Sequence, residues 1–465
     1  MEANKHEASA SSADQRLGTA PLTPLIFKLA LPTALAQLVN MLYNIVDRIY
    51  VGHIPETGSL ALAGLGVTYP IIVLITAFSN LIGMGGAPRA SVAMGRGDYK
   101  TAEKILGNCI TLLIALSVVL SVVFTIYGEP VLRAFGASEN TLPYAMAYLR
   151  IYLLGTIFVQ FTLGMTPFIT NQGFAMTSMA TTCIGAVSNI ILDPIFIYGF
   201  NMGVEGAAIA TILSQALSAV WVLIFFTGKR NILRIRKQNL FPSAKTLALV
   251  LSLGVSPFLM TATECVIQLA FNTGAATYGG DSAVAIMSIL FSVAQISNLP
   301  VQGFCQGAQP VVGFNFGARK LERVRKAFTI MLAVSVGITT VVVGAVEIAP
   351  QMFLGLFSSD ADLIALGTAP LRIYMMGSFF MGAQLACQQT FLGLGEAKIS
   401  MFVALLRKVI LLLPLSLIIP RVFGAMGLSQ LVGLYVAEPV SDIISATTCT
   451  ILFFVIDWKK LKSTT

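Results

Sequence analysis

Long apolar runs separated by short polar segments follow one another along almost the whole chain. Each run is about 20 residues or longer, the length of an α-helix that crosses the hydrocarbon core of a membrane. The first six runs fall near residues 25–50, 60–84, 105–127, 143–167, 176–200 and 204–227. The other six fall near residues 247–273, 281–305, 327–348, 368–391, 400–420 and 424–456. The pattern predicts an all-α integral membrane protein with twelve transmembrane helices.

The second set of six runs repeats the first. The motif Leu-Arg-Ile-Tyr at residues 149–152 returns 222 residues later at residues 371–374. At the same offset Gly52 and Gly95 recur as Gly274 and Gly317. An even number of helices in each copy gives both copies the same orientation. The chain is therefore predicted to hold two parallel six-helix repeats, a construction typical of secondary transporters.

Composition supports the membrane assignment and indicates where the lobes, the linker and the tails begin and end. Hydrophobic residues make up 56% and charged residues 11% of it, with a mean hydropathy of +0.83, which soluble domains do not reach. Residues 1–24 have neither an apolar core nor a cleavage-site pattern, so we predict a disordered tail and not a signal peptide. The predicted lobes are residues 25–227 and 246–457, joined by a basic linker at 228–245 and followed by a tail at 458–465.

Lysine and arginine set the expected orientation. Most of the 29 basic side chains lie before the first helix, in the loops after even-numbered helices and in the final tail. Because cytoplasmic loops carry the excess of basic residues, we expect both termini in the cytoplasm and the protein in the plasma membrane, the inner membrane of the cell. The net charge of +8 then reflects contact with lipid headgroups, and no nucleic-acid partner is expected.

Cysteine and histidine give no catalytic pattern. The six cysteines lie singly inside predicted helices, which suggests neither a disulfide framework nor a zinc site. The two histidines, His6 and His53, lie in the tail and near an outer loop. An intramembrane enzyme is therefore not predicted, and no cofactor is expected.

Acidic residues inside the apolar runs are the candidate functional groups. Placing an acidic side chain in the middle of a membrane helix costs about 2.5 kcal/mol or more, so each of these residues is expected to have a structural or functional role. Helical spacing places Asp47 near the outer end of the first helix, Asp193 at similar depth in the fifth, Asn189 one turn from Asp193, and Thr211 at similar depth in the sixth. Several oxygens at one depth suit a hard cation, so this set is predicted to couple to Na⁺ or H⁺.

Structural roles for the same residues remain alternatives. Asp47 could instead pair with its neighbour Arg48. Asp193 precedes Pro194 and could cap backbone groups freed by a proline kink. Asn189 and Thr211 could be ordinary hydrogen-bonding residues between helices.

The second half does not copy this set and has acids of its own. Glu264 in the seventh helix either attracts a cationic substrate or is a buried, hydrogen-bonded carboxyl. Glu438 and Asp442 lie on one face of the last helix at a spacing of four. They are substrate-binding candidates, with pairing to Arg407 or Lys408 of the eleventh helix as the alternative.

Several short motifs together resemble one transporter family. They are Val-Asp-Arg-Ile-Tyr-Val-Gly at 46–52, Gly-Arg-Gly-Asp at 95–98, Asn189 with Asp193 and Pro194, Gly-Phe-Asn-Phe-Gly at 313–317, Gly-Leu-Gly at 393–395, and the stretch 438–442. In combination they resemble the multidrug and toxic compound extrusion (MATE) family, in its MepA-like bacterial branch. The resemblance covers nearly the whole chain after residue 24.

The resemblance implies a V-shaped bundle of two six-helix lobes that exports cationic, often aromatic compounds against an inward Na⁺ or H⁺ gradient. By resemblance, Asp47, Asn189, Asp193 and Thr211 match the amino-lobe cation site of several members. Glu264 matches the family's acid in helix 7. The tenth helix departs from members that carry an aspartate there, because it offers only glutamines, among which Gln384 is a substrate-binding candidate.

The expected function is antiport of small organic cations or amphiphiles by a monomer whose two lobes rock in the lipid bilayer. A flippase for a lipid-linked sugar is the nearest alternative, although it would call for a basic cavity and the charges buried here are mainly acidic. A channel and a drug-binding regulator are more distant alternatives.

Overall fold

A computed structural model describes residues 16–228, 231–358, 360–458 and 461. The amino-terminal lobe holds α1 (Leu22–Gly52), α2 (Gly58–Gly95), α3 (Tyr99–Ala134), α4 (Leu142–Asn171), α5 (Ala175–Pro194) and α6 (Gly203–Thr227). The carboxy-terminal lobe holds α7 and α8, which share the run Ala244–Gly317, then α9 (Leu321–Ile348), α10 (Ala361–Leu394), α11 (Ala397–Ala425) and α12 (Gln430–Ile456). Within these described ranges the predicted twelve-helix all-α fold is confirmed.

Gly280 separates α7 (residues 244–279) from α8 (residues 281–317). A straight helix of 74 residues would be about 110 Å long, several times the thickness of the hydrocarbon core. Gly280 instead has φ 66° and ψ −159°, a conformation in which only glycine is comfortable. The glycine therefore turns the chain back, and one continuous helical run makes two crossings.

Four of the helices contain a short irregular turn. α5 continues as a π-helical turn at Ile195–Gly199, and α10 contains a 3₁₀ turn at Met376–Phe380. α11 contains a π-helical turn at Leu406–Leu412, and α12 ends in another at Phe453–Asp457. Such turns change the direction of side chains relative to a regular helix and are frequent at functional sites.

The outer surface of the bundle is apolar. Along α3, Ile114, Val118, Val122 and Ile126 recur every four residues and are 42% to 63% exposed. A continuous stripe of this kind would be unfavourable in water and is favourable against lipid chains. Composition and length mark eleven apolar spans among the described residues, and the run through Gly280 supplies the twelfth crossing.

The two lobes share a core at one end of the bundle and have separate cores at the other. The shared core contains Leu106 and Phe168 of the amino lobe together with Phe328 and Phe391 of the carboxy lobe. The connections after α2, α6, α8 and α10 meet at this end, which we call the basic end because of the arginines and lysines in those connections. Towards the opposite end each lobe has a core made only of its own residues. The lobes therefore meet at the basic end and diverge from it.

Glycines allow the close contact between the lobes near the basic end. A Cβ placed on Gly85 of α2 would lie 2.9 Å from the Cα of Gly254 on α7, so a larger residue would push the helices apart. Two hydrogen bonds add to this contact. Gln37 Nε2 donates to Gln306 Oε1 at 3.0 Å, and Asn80 Nδ2 donates to Thr261 Oγ1 at 3.1 Å. The first bond joins α1 to α8 and the second joins α2 to α7, so both connect the amino lobe to the carboxy lobe.

Residues 16–24 are ordered, so the predicted disordered tail is wrong for this part. Leu17 is buried in the shared core. Its carbonyl accepts a hydrogen bond from Asn315 Nδ2 at 2.9 Å, and the Ala20 carbonyl accepts one from Arg323 Nη2 at 2.8 Å. The rest of the predicted amino-terminal tail, residues 1–15, lies outside the described residues. In the predicted carboxy-terminal tail, Trp458 packs against Phe453.

The linker packs onto the amino lobe. Gln172 Oε1 accepts hydrogen bonds from the backbone N–H groups of Ile232 and Leu233 at 2.8 and 2.9 Å. Asn108 Nδ2 donates to the carbonyls of Asn239 and Phe241, and its Oδ1 accepts from the Ser243 N–H at 2.7 Å. Arg236 forms an ion pair with Glu103. The segment 231–243 is thus an ordered part of the amino lobe.

We predict that Asn108→Ala destabilises the protein. The substitution removes the buried amide, so the Asn239 and Phe241 carbonyls lose this donor and the Ser243 N–H loses its acceptor, which costs about 1–3 kcal/mol. Thermal unfolding in detergent is expected to occur several degrees lower than in the wild type. Asn140→Ala, in an exposed turn, is the matched control. An unchanged unfolding temperature for Asn108→Ala would contradict the role of this amide.

Candidate functional site

The packing of α1 against α5 brings Asp47 and Asp193 together. Their carboxyl groups are in contact, and Asn189 Nδ2 donates a hydrogen bond to Asp193 Oδ1 at 3.1 Å. Asn189 is 2% exposed and Asp193 is fully buried. Two carboxylates that share one buried position repel one another unless a positive charge or a proton lies between them.

Three oxygens of this group are buried and have no hydrogen-bond partner. They are Asp47 Oδ1, Asn189 Oδ1 and Asp193 Oδ2. Buried polar atoms of folded proteins are nearly always satisfied, so each such atom calls for an explanation. Carboxylate and amide oxygens are the ligands that hard cations prefer. The donor set therefore fits a bound cation.

Tyrosines complete the surroundings of the pair. Tyr43 of α1 and Tyr148 of α4 both lie close enough to Asp47 to interact with it electrostatically. Thr211 of α6 lies beside Tyr148, so that ring stands between Thr211 and the carboxylates. Tyr198 of the π-helical turn after α5 donates to the Tyr50 carbonyl at 2.7 Å and joins the turn to α1. Sequence reasoning missed all of these tyrosines.

Arg48 of α1 packs on an aromatic ring of α2. Its guanidinium lies over the Tyr69 ring of α2, 5.2 Å from the ring centroid. Among the described residues the ion pairs do not include one between Arg48 and Asp47, so the alternative of a local pair is not observed. The hydrogen bond that reaches the Asp193 carboxylate comes from the Asn189 side chain. The backbone-capping alternative for Asp193 is likewise not observed within the described residues.

The carboxy lobe holds a second buried cluster, centred on Arg407. Arg407 Nε pairs with Asp442 Oδ1 at 2.7 Å, and Arg407 Nη2 pairs with Glu438 Oε1 at 3.1 Å. Tyr374 of α10 lies close enough to Glu438 and Asp442 to interact with both electrostatically. The alternative in which Glu438 and Asp442 pair with a basic residue of α11 is therefore the one observed. Their carboxylates are engaged by Arg407.

Glu264 forms an ion pair with Lys408, the neighbour of Arg407 on α11. The Lys408 side chain is 9% exposed and the Glu264 side chain 46% exposed. Glu264 is therefore neither free nor fully buried. The fourth candidate, Gln384, is buried in α10, and its Oε1 has no hydrogen-bond partner. Four residues further on, Gln388 donates to Ser256 and Ser400 and joins α10 to α7 and α11.

The same repeat position supplies a tyrosine to the polar cluster of each lobe. Tyr152 and Tyr374 are equivalent in the two copies of the Leu-Arg-Ile-Tyr motif. Tyr152 interacts with Tyr43 beside the carboxylate pair, and Tyr374 interacts with Glu438 and Asp442. The repeated motif is the feature of the sequence from which Tyr152 and Tyr374 could have been identified. The duplicated scaffold thus surrounds a carboxylate pair in one lobe and a set of ion pairs in the other.

Other metal chemistry has no evident site in the described part of the chain. No group of three His, Cys, Asp or Glu side chains there has the geometry of a metal site. All six cysteines are free thiols.

Comparison with known proteins gives concordant matches. A model of the MatE family matches residues 32–195 and 257–418, which lie in the two lobes. The multidrug export protein MepA of Staphylococcus saprophyticus subsp. saprophyticus is 26% identical over 429 residues, covering 92% of each chain.

Solved structures share the fold. A MATE in the bent conformation superposes with a TM-score of 0.89 at 22% identity, covering 97% of this chain and 98% of the other. The outward-facing conformation of a multidrug resistance MATE family transporter of the MOP superfamily superposes with a TM-score of 0.88 at 22% identity, covering 97% and 99%. At this identity the structures establish likeness of fold.

We predict that Arg407→Met strongly destabilises the carboxy lobe. The variant removes both ion pairs that Arg407 makes with the buried Glu438 and Asp442, which costs about 3–5 kcal/mol. Thermal unfolding in detergent is the measurement, and adding Glu438→Gln and Asp442→Asn to Arg407→Met is expected to restore much of the loss. Arg133→Met, which removes the ion pairs of an exposed arginine, is the control and is expected to change little. Wild-type stability of Arg407→Met would rule out the pairing.

Proposed function

This chain belongs to the MatE family of membrane transporters, and we propose that it is a secondary antiporter that exports lipophilic organic cations in exchange for Na⁺ or H⁺. The observation that carries the proposal is the buried contact of Asp47 with Asp193, together with the three unpartnered oxygens around it. A protein of this family is a transporter and not an enzyme.

The ion step follows from the cost of burying two carboxylates together. Without a counter-charge, one of the two must take up a proton or attract a cation. Asp47, Asp193 and Asn189 offer oxygen ligands to Na⁺ directly, and Tyr148 stands between them and Thr211. A proton would occupy the same place by neutralising one carboxylate. The donor set serves either ion.

The conformational step uses the joint at the basic end. If the basic end faces the cytoplasm, as the distribution of lysine and arginine predicts, the lobes are closed towards the cytoplasm and diverge outwards. An ion would then reach the amino-lobe pair from outside. Export requires the opposite state, in which the contact between Gly85 and Gly254 is broken and the outer halves of the lobes come together.

Coupling needs only that the two ligands favour different states. In our proposal the coupling ion binds in the amino lobe and favours the state that releases substrate. The organic cation binds in the cavity between the lobes, with the partly exposed Glu264 of the carboxy lobe as a counter-charge. Each ligand then weakens the binding of the other by the same factor, as thermodynamic linkage requires.

The substrate class follows from relatives and from charge. The MepA relatives are named as multidrug export proteins, which supports small organic compounds as substrates. Glu264 favours cations among them. We further propose a monomer in the plasma membrane with both described ends of the chain at the cytoplasmic face.

The flippase alternative is not favoured. A pyrophosphate-linked sugar would require free basic groups in the cavity. The two basic residues buried in α11, Arg407 and Lys408, are both engaged by carboxylates.

We predict that ethidium efflux from proteoliposomes is driven by an imposed Na⁺ gradient or an imposed pH gradient, and that Asp193→Asn abolishes the coupling. Removing one carboxylate removes the electrostatic reason to bind the ion. The measurement is ethidium fluorescence after each gradient is applied separately. Asp362→Asn, an exposed acid that undergoes the same chemical change, is the matched control and is expected to transport like the wild type.

Two outcomes would contradict the proposal. Gradient-driven efflux that persists in Asp193→Asn would remove the amino-lobe pair from the coupling step. Absence of gradient-driven flux of any tested organic cation in the wild type would exclude the antiport of such cations.

A further inference from the structure

Two adjacent basic residues of α11 are directed to different helices. Arg407 pairs with Glu438 and Asp442 of α12, whereas Lys408 pairs with Glu264 of α7. Both lie in the π-helical turn Leu406–Leu412. The Arg407 carbonyl accepts a hydrogen bond from Ser441 Oγ at 2.8 Å, which fixes the turn against α12. Within the described residues, Lys408 is thus the basic residue of this turn that pairs with α7.

The cluster is one positive charge short of balance. It contains two basic groups, Arg407 and Lys408, and three carboxylates, those of Glu264, Glu438 and Asp442. With every group ionised it carries one net negative charge. In a low-dielectric environment that charge attracts a further cation much more strongly than it would in water. One monovalent cation would complete the balance.

The unbalanced charge is accessible at Glu264. The Glu264 side chain is 46% exposed, against 1% for Asp442 and 10% for Glu438. Val266 and Leu269 lie about 160° and about 140° around α7 from Glu264, and they line an apolar groove together with Ile71 and Leu74 of α2. Glu264 is therefore exposed on a different side of α7 from this apolar groove.

Lys408 has a second acceptor within the cluster. Glu438 uses Oε1 to pair with Arg407, and its Oε2 is buried without a hydrogen-bond partner. Glu438 and Asp442 are near enough to Lys408 to interact with it electrostatically. A lysine side chain is long, flexible and bears its charge on a single atom, so it exchanges partners more easily than a forked guanidinium. Glu438 Oε2 is a suitable destination for a displaced ammonium group.

We propose that Lys408 is a tethered competitor of the transported cation, occupying Glu264 when no substrate is bound and moving to Glu438 Oε2 when an organic monocation takes its place. The inference rests on the proposed function and deepens it, because it names the residue that determines affinity for monovalent cations. Exchange of one cation for another at Glu264 avoids leaving that carboxylate unpaired at any stage. Return of Lys408 to Glu264 expels the substrate.

The test is equilibrium binding of tetraphenylphosphonium, a lipophilic monocation, to the purified full chain. Lys408→Met removes the competitor, so the Kd is expected to fall by at least about tenfold, the change expected when one charge pair stops competing in a partly desolvated site. The Kd of triphenylphosphine oxide, a neutral compound of similar shape, is expected to stay unchanged. Lys398→Met, which removes an exposed lysine from the first turn of α11, is the matched control.

Further variants separate competition from a structural role. Lys408→Gln can still hydrogen-bond to both carboxylates and is expected to show the same gain, which keeps the test valid if Lys408→Met does not fold. Lys408→Arg keeps the charge and is expected to bind like the wild type. Adding Glu264→Gln to Lys408→Met is expected to abolish the gain.

An unchanged or weaker affinity of folded Lys408→Gln and Lys408→Met for tetraphenylphosphonium would overturn the inference. So would an equal gain for the neutral compound. If instead the wild type neither binds nor transports tetraphenylphosphonium or ethidium, the proposed function itself fails. The two failures are therefore distinguishable.

Discussion

A carboxylate buried between membrane helices must find a positive charge, a proton or hydrogen-bond donors, and the two lobes meet this requirement in different ways. In the carboxy lobe, Arg407 engages Glu438 and Asp442 through two ion pairs. In the amino lobe, Asp47 and Asp193 meet each other with only one amide donor between them. In the first arrangement each carboxylate has a basic partner within the protein, whereas the second requires a cation or proton from outside. The antiport that we propose depends on that difference.

The contact between the lobes at the basic end allows binding in one lobe to change the position of that lobe relative to the other. A shared core and close glycine contacts hold the lobes together at the basic end, while each lobe is packed separately towards the other end. Each lobe can therefore move as a unit without breaking its own core. The linker 231–243 is fixed to the amino lobe by Asn108 and Gln172, so flexibility between the lobes does not come from a loose connection there.

Apolar runs and their repetition predicted the twelve helices, because membrane helices are identified by length and hydropathy alone. The proximity of Asp47, Asn189 and Asp193 followed from helical spacing and depth. Whether they bind the coupling ion stays a prediction. The pairing of Glu438 and Asp442 with Arg407 was left open, since spacing within α12 does not reveal which side of α11 it meets. Tyr43 and Tyr148 were missed because tyrosines in apolar helices resemble ordinary core residues.

Ordered residues 16–24 were missed for a related reason. Their backbone carbonyls accept hydrogen bonds from Asn315 and Arg323, about 300 residues away along the chain. Contacts between such distant residues cannot be predicted from local sequence composition. Local pattern identifies helices and depth well, and it identifies partners across the bundle poorly. The chemistry of both clusters lies in those partners.

The most direct test of the account is a measurement of cation uptake by the purified protein, using radioactive Na⁺ for one ion and potentiometric titration for protons. The account predicts stoichiometric uptake of one of these ions, lost in Asp47→Asn and in Asp193→Asn. It predicts that Asp442→Asn, which alters a carboxylate already paired with Arg407, retains the uptake. Uptake that survives both amino-lobe substitutions, or that is lost only in Asp442→Asn, would contradict the account.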